Sequence, residues 1–294
     1  MYAPGQETVT TYRYVRVSIV GVVMLLFVAL GLQIAADAGR LLPSISAYFY
    51  TPVRSVLVGS LVAAAFLLVA VRGRPGAEDA LLNLGGMLVP VVAFIPTPLD
   101  GGCAGGGRCI PEQFLPTVTV SMGALLLVGL PAVVLALWVL LVRPKDGTTA
   151  PSGYVGALVI WGGFAIWFGP GATWPLRESL LAYGHYVAAV GMFVAMVAVA
   201  VLNARRTDRE AHVGARTLEY STIYAAVAAA MAGVLVGAIV AWAVAWSADG
   251  ALLFWVEAAL LLLFSVFWAV QTVEFWTLGL PEEACEAPLP EQRT

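Results

Sequence analysis

Apolar and polar positions along this chain fall into long blocks, with no sustained strand-like alternation. Apolar runs cover about 17–36, 53–71, 79–96, 115–142, 153–169, 179–203, 220–246 and 251–277. A helix crossing the ~30 Å hydrocarbon core of a bilayer needs about 20 such residues, and runs of this length with few charges predict spanning helices. The pattern therefore predicts an all-α integral membrane protein, an eight-transmembrane-helix bundle. Its breaks carry ordinary stop signals: Arg72-Gly73-Arg74-Pro75, Arg143-Pro144-Lys145 and Gly169-Pro170-Gly171. The first run exceeds the ~7–15 residues of a signal-peptide core, so it is read as a retained span. Residues 1–16 then form a cytoplasmic tail, 17–277 the membrane domain, and 278–294 an acidic, disordered cytoplasmic tail.

Helical phase assigns faces to some of these runs. On the last, Glu257, Phe264, Trp268, Gln271 and Phe275 share one side; on the sixth, His185, Met192, Met196 and Asn203 do. Both stripes are expected to face the bundle interior. The seventh run carries small residues at every fourth position, Ala225, Ala229, Gly233, Gly237, Ala241 and Ala245, expected as an internal packing face ahead of a dimer seam. Glu78, Asp79, Glu219 and Glu274 lie near predicted span ends and are expected to reach water. Trp174, Trp246, Trp255 and Trp276 are expected as boundary anchors.

Charge fixes the expected orientation. With eight spans and the N-terminus inside, eleven of the 15 Lys and Arg residues fall in inner segments, and only Arg40, Arg54, Arg108 and Arg177 in outer ones. That asymmetry predicts both termini inside, in a bacterial cytoplasmic membrane. A net charge of −3 with no basic patch argues against nucleic acid. Cys103 and Cys109 then share an outer loop, where a bridge between them is expected; Cys285 is left over.

One stretch does not read as packing: Pro43-Ser44-Ile45-Ser46-Ala47-Tyr48-Phe49-Tyr50-Thr51-Pro52-Val53-Arg54. It is the outer loop into the second span. An ionisable residue inside a span is a functional candidate by default, and His185 and Glu257 each lie about six residues below the same outer boundary, about 9 Å deep at ~1.5 Å per residue. The candidate ligand site is therefore Ser44, Ser46, Tyr48, Arg54, His185 and Glu257, with Arg54 as a partner for an anion. The alternatives are that Arg54, His185 and Glu257 form a buried ionic cluster that fixes helix register, or that Arg54 simply reaches to the headgroups.

Ser44-Ile45-Ser46-Ala47-Tyr48-Phe49-Tyr50-Thr51, followed by Arg54 and Val58-Gly59, resembles a signature of bacterial multi-pass membrane proteins grouped as a domain of unknown function. Asn83-Leu84-Gly85-Gly86 with Pro96-Thr97, His185-Tyr186 with Ala188-Ala189, and Trp255-Val256-Glu257 with Phe264 and Trp268 extend the resemblance over about half the chain. A fainter likeness links it to DRAM-type membrane proteins. Simpler members of the family look six-span, which implies that spans four and five are an insertion.

No nucleophile elbow, P-loop or HExxH pattern occurs, and only two histidines, His185 and His212, are available where a catalytic zinc takes three protein ligands. No metal or cofactor is expected. The reading is a non-enzymatic protein that binds a lipid headgroup or small amphiphilic or anionic ligand from outside, as sensor, scaffold or assembly factor. Its alternatives are a proton-coupled small-molecule transporter and a membrane-embedded hydrolase.

Overall fold

The computed structural model describes residues 6–103, 105–142, 151–171, 173–210, 215–245 and 251–278. They form helices α1 (Gln6–Ala36), α2 (Arg54–Ala70), α3 (Ala77–Phe94), α4 (Leu115–Val142), α5 (Pro151–Phe168), α6 (Arg177–Glu210), α7 (Ala215–Ala245) and α8 (Leu252–Leu278). Six of them, all but α2 and α5, are long and apolar enough to cross a membrane. The first turn of α3 carries Glu78 and Asp79, where carboxylates complement the partial positive charge of a helix N-terminus. Gly76 precedes that helix at φ +106°, a conformation that favours glycine.

Neighbours close into a cycle. α1 packs on α2 and α8, α2 on α3, α3 on α6, α6 on α7, and α7 on α8. α4 and α5 stay outside this ring, packing on each other and on α3. The α2–α3 contact is close because Gly86 has no side chain: a Cβ there would lie 2.8 Å from Val69 Cγ2 and 3.0 Å from the Ala65 carbonyl oxygen. The ring interior holds the main core, with Phe264, Phe267, Trp268, Met192, Met196 and Tyr224 all buried. The stripes of α6 and α8 both point into it, because His185, Met192, Met196 and Asn203, and Phe264, Trp268, Gln271 and Phe275, are buried.

Several expectations are corrected. α1 starts ahead of its apolar run, at Gln6, and α6 runs past its own to Glu210. Ala-Arg-Arg-Thr-Asp-Arg-Glu is rich in good helix formers, so α6 continues past its apolar run. The small-residue face of α7 is not an internal seam: Ala225, Ala229, Gly233 and Gly237 are exposed on the outside of the ring. Glu78 does not reach water but is 3% exposed. Glu219, Trp246 and the 279–294 tail lie outside the described residues or side chains.

Between α3 and α4, strands β1 (Leu99–Asp100) and β2 (Arg108–Cys109) form a two-residue antiparallel ladder, with Leu99 opposite Cys109. Cys103 and Cys109 are joined in a disulfide, their Cα atoms 5.5 Å apart. Alkylation of denatured but unreduced protein is therefore expected to modify Cys285 alone, and all three cysteines after reduction. Intact-mass measurement reads this directly, and three adducts before reduction would contradict the bridge.

Candidate functional site

The 43–54 stretch does not lie over the bundle as a surface loop. It turns inward as a short 3-10 helix, Ser46–Tyr50, in which Ser46, Ala47, Tyr48 and Phe49 are buried. Ile45, Tyr48 and Phe49 join Leu26, Leu30, Val53, Leu57 and Phe254 in a second apolar cluster that plugs one end of the ring. Buried side chains of this size contribute about 1.5–3 kcal/mol each relative to an aqueous reference. Irregular backbone at such a place must find partners for its polar groups, and the sequence supplies them.

Ser44 Oγ accepts the Ala47 N–H at 2.9 Å and shares a hydrogen bond with Thr97 Oγ1 at 2.7 Å. Ser46 Oγ accepts the Thr97 N–H at 3.1 Å. The Tyr50 hydroxyl donates to the Thr97 carbonyl at 3.1 Å, and burial pushes that phenol up from its ordinary range, so it stays a donor. The Tyr48 hydroxyl accepts the Leu42 N–H at 3.4 Å. Thr51 Oγ1 donates to the Tyr48 carbonyl at 2.8 Å, and Phe254 N–H donates to the Pro43 carbonyl at 2.9 Å.

Two loop donors go to α8. The N–H groups of Ile45 and Ser46 both donate to Glu257 Oε2, at 2.6 and 3.2 Å. Glu257 Oε1 lies 3.7 Å from His185 Nε2. The other ring nitrogen, His185 Nδ1, is 2.8 Å from the Ile95 carbonyl oxygen and 3.4 Å from Ser46 Oγ. A carbonyl can only accept, so Nδ1 carries the proton. In a neutral imidazole Nε2 is then an acceptor, and it faces a carboxylate oxygen that is also an acceptor. That pair is satisfied by one more proton or by a guest that donates to both.

Ser46, His185 and Glu257 line a cavity of about 60 Å³ whose other walls are aliphatic and aromatic, among them Leu26, Leu57, Leu61, Met192 and Leu261. At least about 10–15 Å³ of such space is needed per water, so the cavity takes a few water-sized groups, not a phosphate headgroup. Of the predicted site residues, the structure brings Ser46, His185 and Glu257 together, with Ser44 bracing the loop. Tyr48 is buried beside them without lining the cavity. Arg54 does not join them. Its guanidinium lies over the Phe49 and Phe114 rings, 5.6 Å from each centroid, and the side chain is exposed.

The sequence marked Thr97 only as part of the family resemblance and did not point to the Ile95 carbonyl; these two hold the loop and the histidine. Nor did it point to a second polar layer at the opposite end of the ring. There Arg16, buried, donates to the Gln271 carbonyl at 3.0 Å and to the Tyr12 hydroxyl at 2.8 Å. Asn203 donates to Glu78 Oε1 at 3.2 Å, Tyr224 donates to Glu274 Oε2, and Arg16 and Arg74 both lie over the Phe275 ring. The aromatic and basic alternation Tyr12-Arg13-Tyr14-Val15-Arg16 was the available signal.

Among the described residues, no group of three His, Cys, Asp or Glu is placed to hold a metal ion. Asp100 pairs with Arg108 at 3.2 Å. No protein-family model, curated protein or solved structure matches the chain.

Proposed function

We propose that this chain is a non-enzymatic bacterial inner-membrane protein of eight spans, with both termini inside. It binds the amine or hydroxyl end of a small amphiphile from the outer side, as sensor, scaffold or assembly factor. The carrying observation is that His185 Nε2 faces Glu257 Oε1, 3.7 Å apart above a small apolar-walled cavity, two acceptors when the imidazole is neutral. A donor head satisfies both, whereas an anionic head repels the carboxylate. The ligand class therefore moves from the anion that Arg54 suggested to a hydrogen-bond donor.

Orientation rests on the arginine and lysine asymmetry, which puts the 43–54 loop outside. Trp255 and Trp276 on α8 are exposed and 21 residues apart, about 31 Å along a helix, which suits the ~30 Å core between two aromatic belts. The direct packing of α3 on α6 supports a six-span family unit into which α4 and α5 are inserted.

Native mass spectrometry of the full-length protein released from lipid nanodiscs tests the reading. Wild-type protein is expected to carry an amine- or hydroxyl-headed adduct, retained in Arg54→Ala and reduced at least tenfold in occupancy in Glu257→Gln. A bare wild-type protein, or an adduct indifferent to Glu257→Gln, would overturn it. The same shared-proton geometry favours one second reading, proton-coupled transport, in which Glu257→Gln abolishes pH-dependent uptake into vesicles.

A further inference from the structure

Buried polar atoms normally have partners, and those that lack them call for an explanation such as ordered water. Among the described residues, the neutral side chains with a buried polar atom that has no hydrogen-bond partner are Ser60 (Oγ), Trp268 (Nε1) and Gln271 (Oε1). The three residues are 4%, 0% and 2% exposed. They are not scattered. Trp268 and Gln271 belong to the inward stripe of α8 that begins at Glu257, and lie 11 and 14 residues further along it, about 16 and 21 Å at ~1.5 Å per residue.

Ser60 occupies the gap between these levels. It lines a second cavity of about 20 Å³, with Val22, Val23, Ala64 and Phe264. That cavity shares Leu26, Leu61, Val89, Met192 and Leu261 with the larger one under Glu257 and His185, so the two are stacked against one wall. The lower one reaches about two helical turns deeper, from Leu57 to Ala64 on α2 and from Glu257 to Phe264 on α8. A space of 20 Å³ admits one water, since about 10–15 Å³ suffices. Beyond Gln271, its own carbonyl accepts from Arg16 in the opposite polar layer.

We propose that the interior of the helix ring binds a file of water molecules. It is entered beneath the Glu257–His185 layer, anchored on Ser60, and continues along α8 past Trp268 to Gln271. Serine, indole and amide atoms then find their partners in water, and the two polar layers are joined by a hydrated path through an otherwise apolar core. The upper cavity offers a water three polar residues, Ser46, His185 and Glu257; the lower one offers Ser60 and the water above it. The inference does not depend on amphiphile binding.

Substituted-cysteine accessibility to silver ion, a probe close to water in size, tests it in full-length protein in proteoliposomes with Cys285→Ser and the Cys103–Cys109 bridge intact. Protection from later alkylation under denaturing conditions reports the reaction. Ser55→Cys, at an exposed site on the first turn of α2, sets the fast reference, and Leu68→Cys, buried on α2 outside both cavities, sets the dry one. Ser60→Cys and Gln271→Cys are expected to react within about tenfold of Ser55→Cys, and at least 100-fold faster than Leu68→Cys. If Ser60→Cys does not fold, Ala64→Cys lines the same cavity and gives the same readout. Silence at either the Ser60 level or Gln271 overturns the path. It would leave amphiphile binding standing, because that is read by an adduct mass.

Discussion

Glu257→Ala is expected to lower the stability of the protein by about 3–5 kcal/mol, because two backbone donors of a buried segment lose their acceptor. In a chain of 294 residues that corresponds to a fall of about 5–8 °C in Tm. The Glu257 carboxylate takes the N–H groups of both Ile45 and Ser46. Truncation leaves these two donors with no replacement, at about 1–3 kcal/mol each. Glu257→Gln keeps a carbonyl oxygen of nearly the same shape in the same place and is expected to cost only about 1 kcal/mol. Thermal unfolding in detergent separates the two variants, and equal losses for Ala and Gln would show that the carboxylate does not hold the loop.

The second large effect is expected at the other end of the ring. Glu78 is 3% exposed and accepts from Asn203 in a layer that also holds Arg16 and Arg74. Glu78→Ala should cost about 3–5 kcal/mol, because it strips a buried anion from beside buried cations. Its neighbour Asp79 is only partly buried and bonds Asn83 one turn along the same helix at 3.2 Å. Asp79→Ala should cost less than about 1 kcal/mol, as exposed i,i+4 pairs do. Chemical or thermal unfolding of the two variants side by side checks this contrast. A small loss at Glu78 would mean that the layer is wet and loosely held.

The sequence showed the helices and the inward stripes of α6 and α8 because apolar run length and helical phase are local properties of the chain. It also selected Ser46, His185 and Glu257, because polar groups beside an apolar run stand out without any knowledge of their neighbours. Their meeting was not legible. The Ile45 and Ser46 amides reach a carboxylate more than 200 residues away, and backbone donors leave no mark in an amino-acid pattern. Arg54 was grouped with them on residue type and depth, whereas ring contacts with Phe49 and Phe114 hold it elsewhere.

Glu78 and Arg16 were misplaced for a different reason. Hydropathy assigns depth along the chain, but closure of the ring brings the ends of α1, α3, α6, α7 and α8 together and buries charges that each helix alone would leave at its boundary. The exposed small face of α7 shows the same limit, since a ridge of Ala and Gly records that close approach is possible and not which side of the ring it faces.

Hydrogen exchange at the Ile45 and Ser46 amides tests the central claim, that the 43–54 stretch is folded into the ring and tied to Glu257. In wild-type protein both amides should exchange as slowly as those of the core helices, and in Glu257→Ala they should exchange at least 100-fold faster while the mid-helix amides of α6 stay protected. Rapid exchange of both amides in the wild-type protein would contradict it.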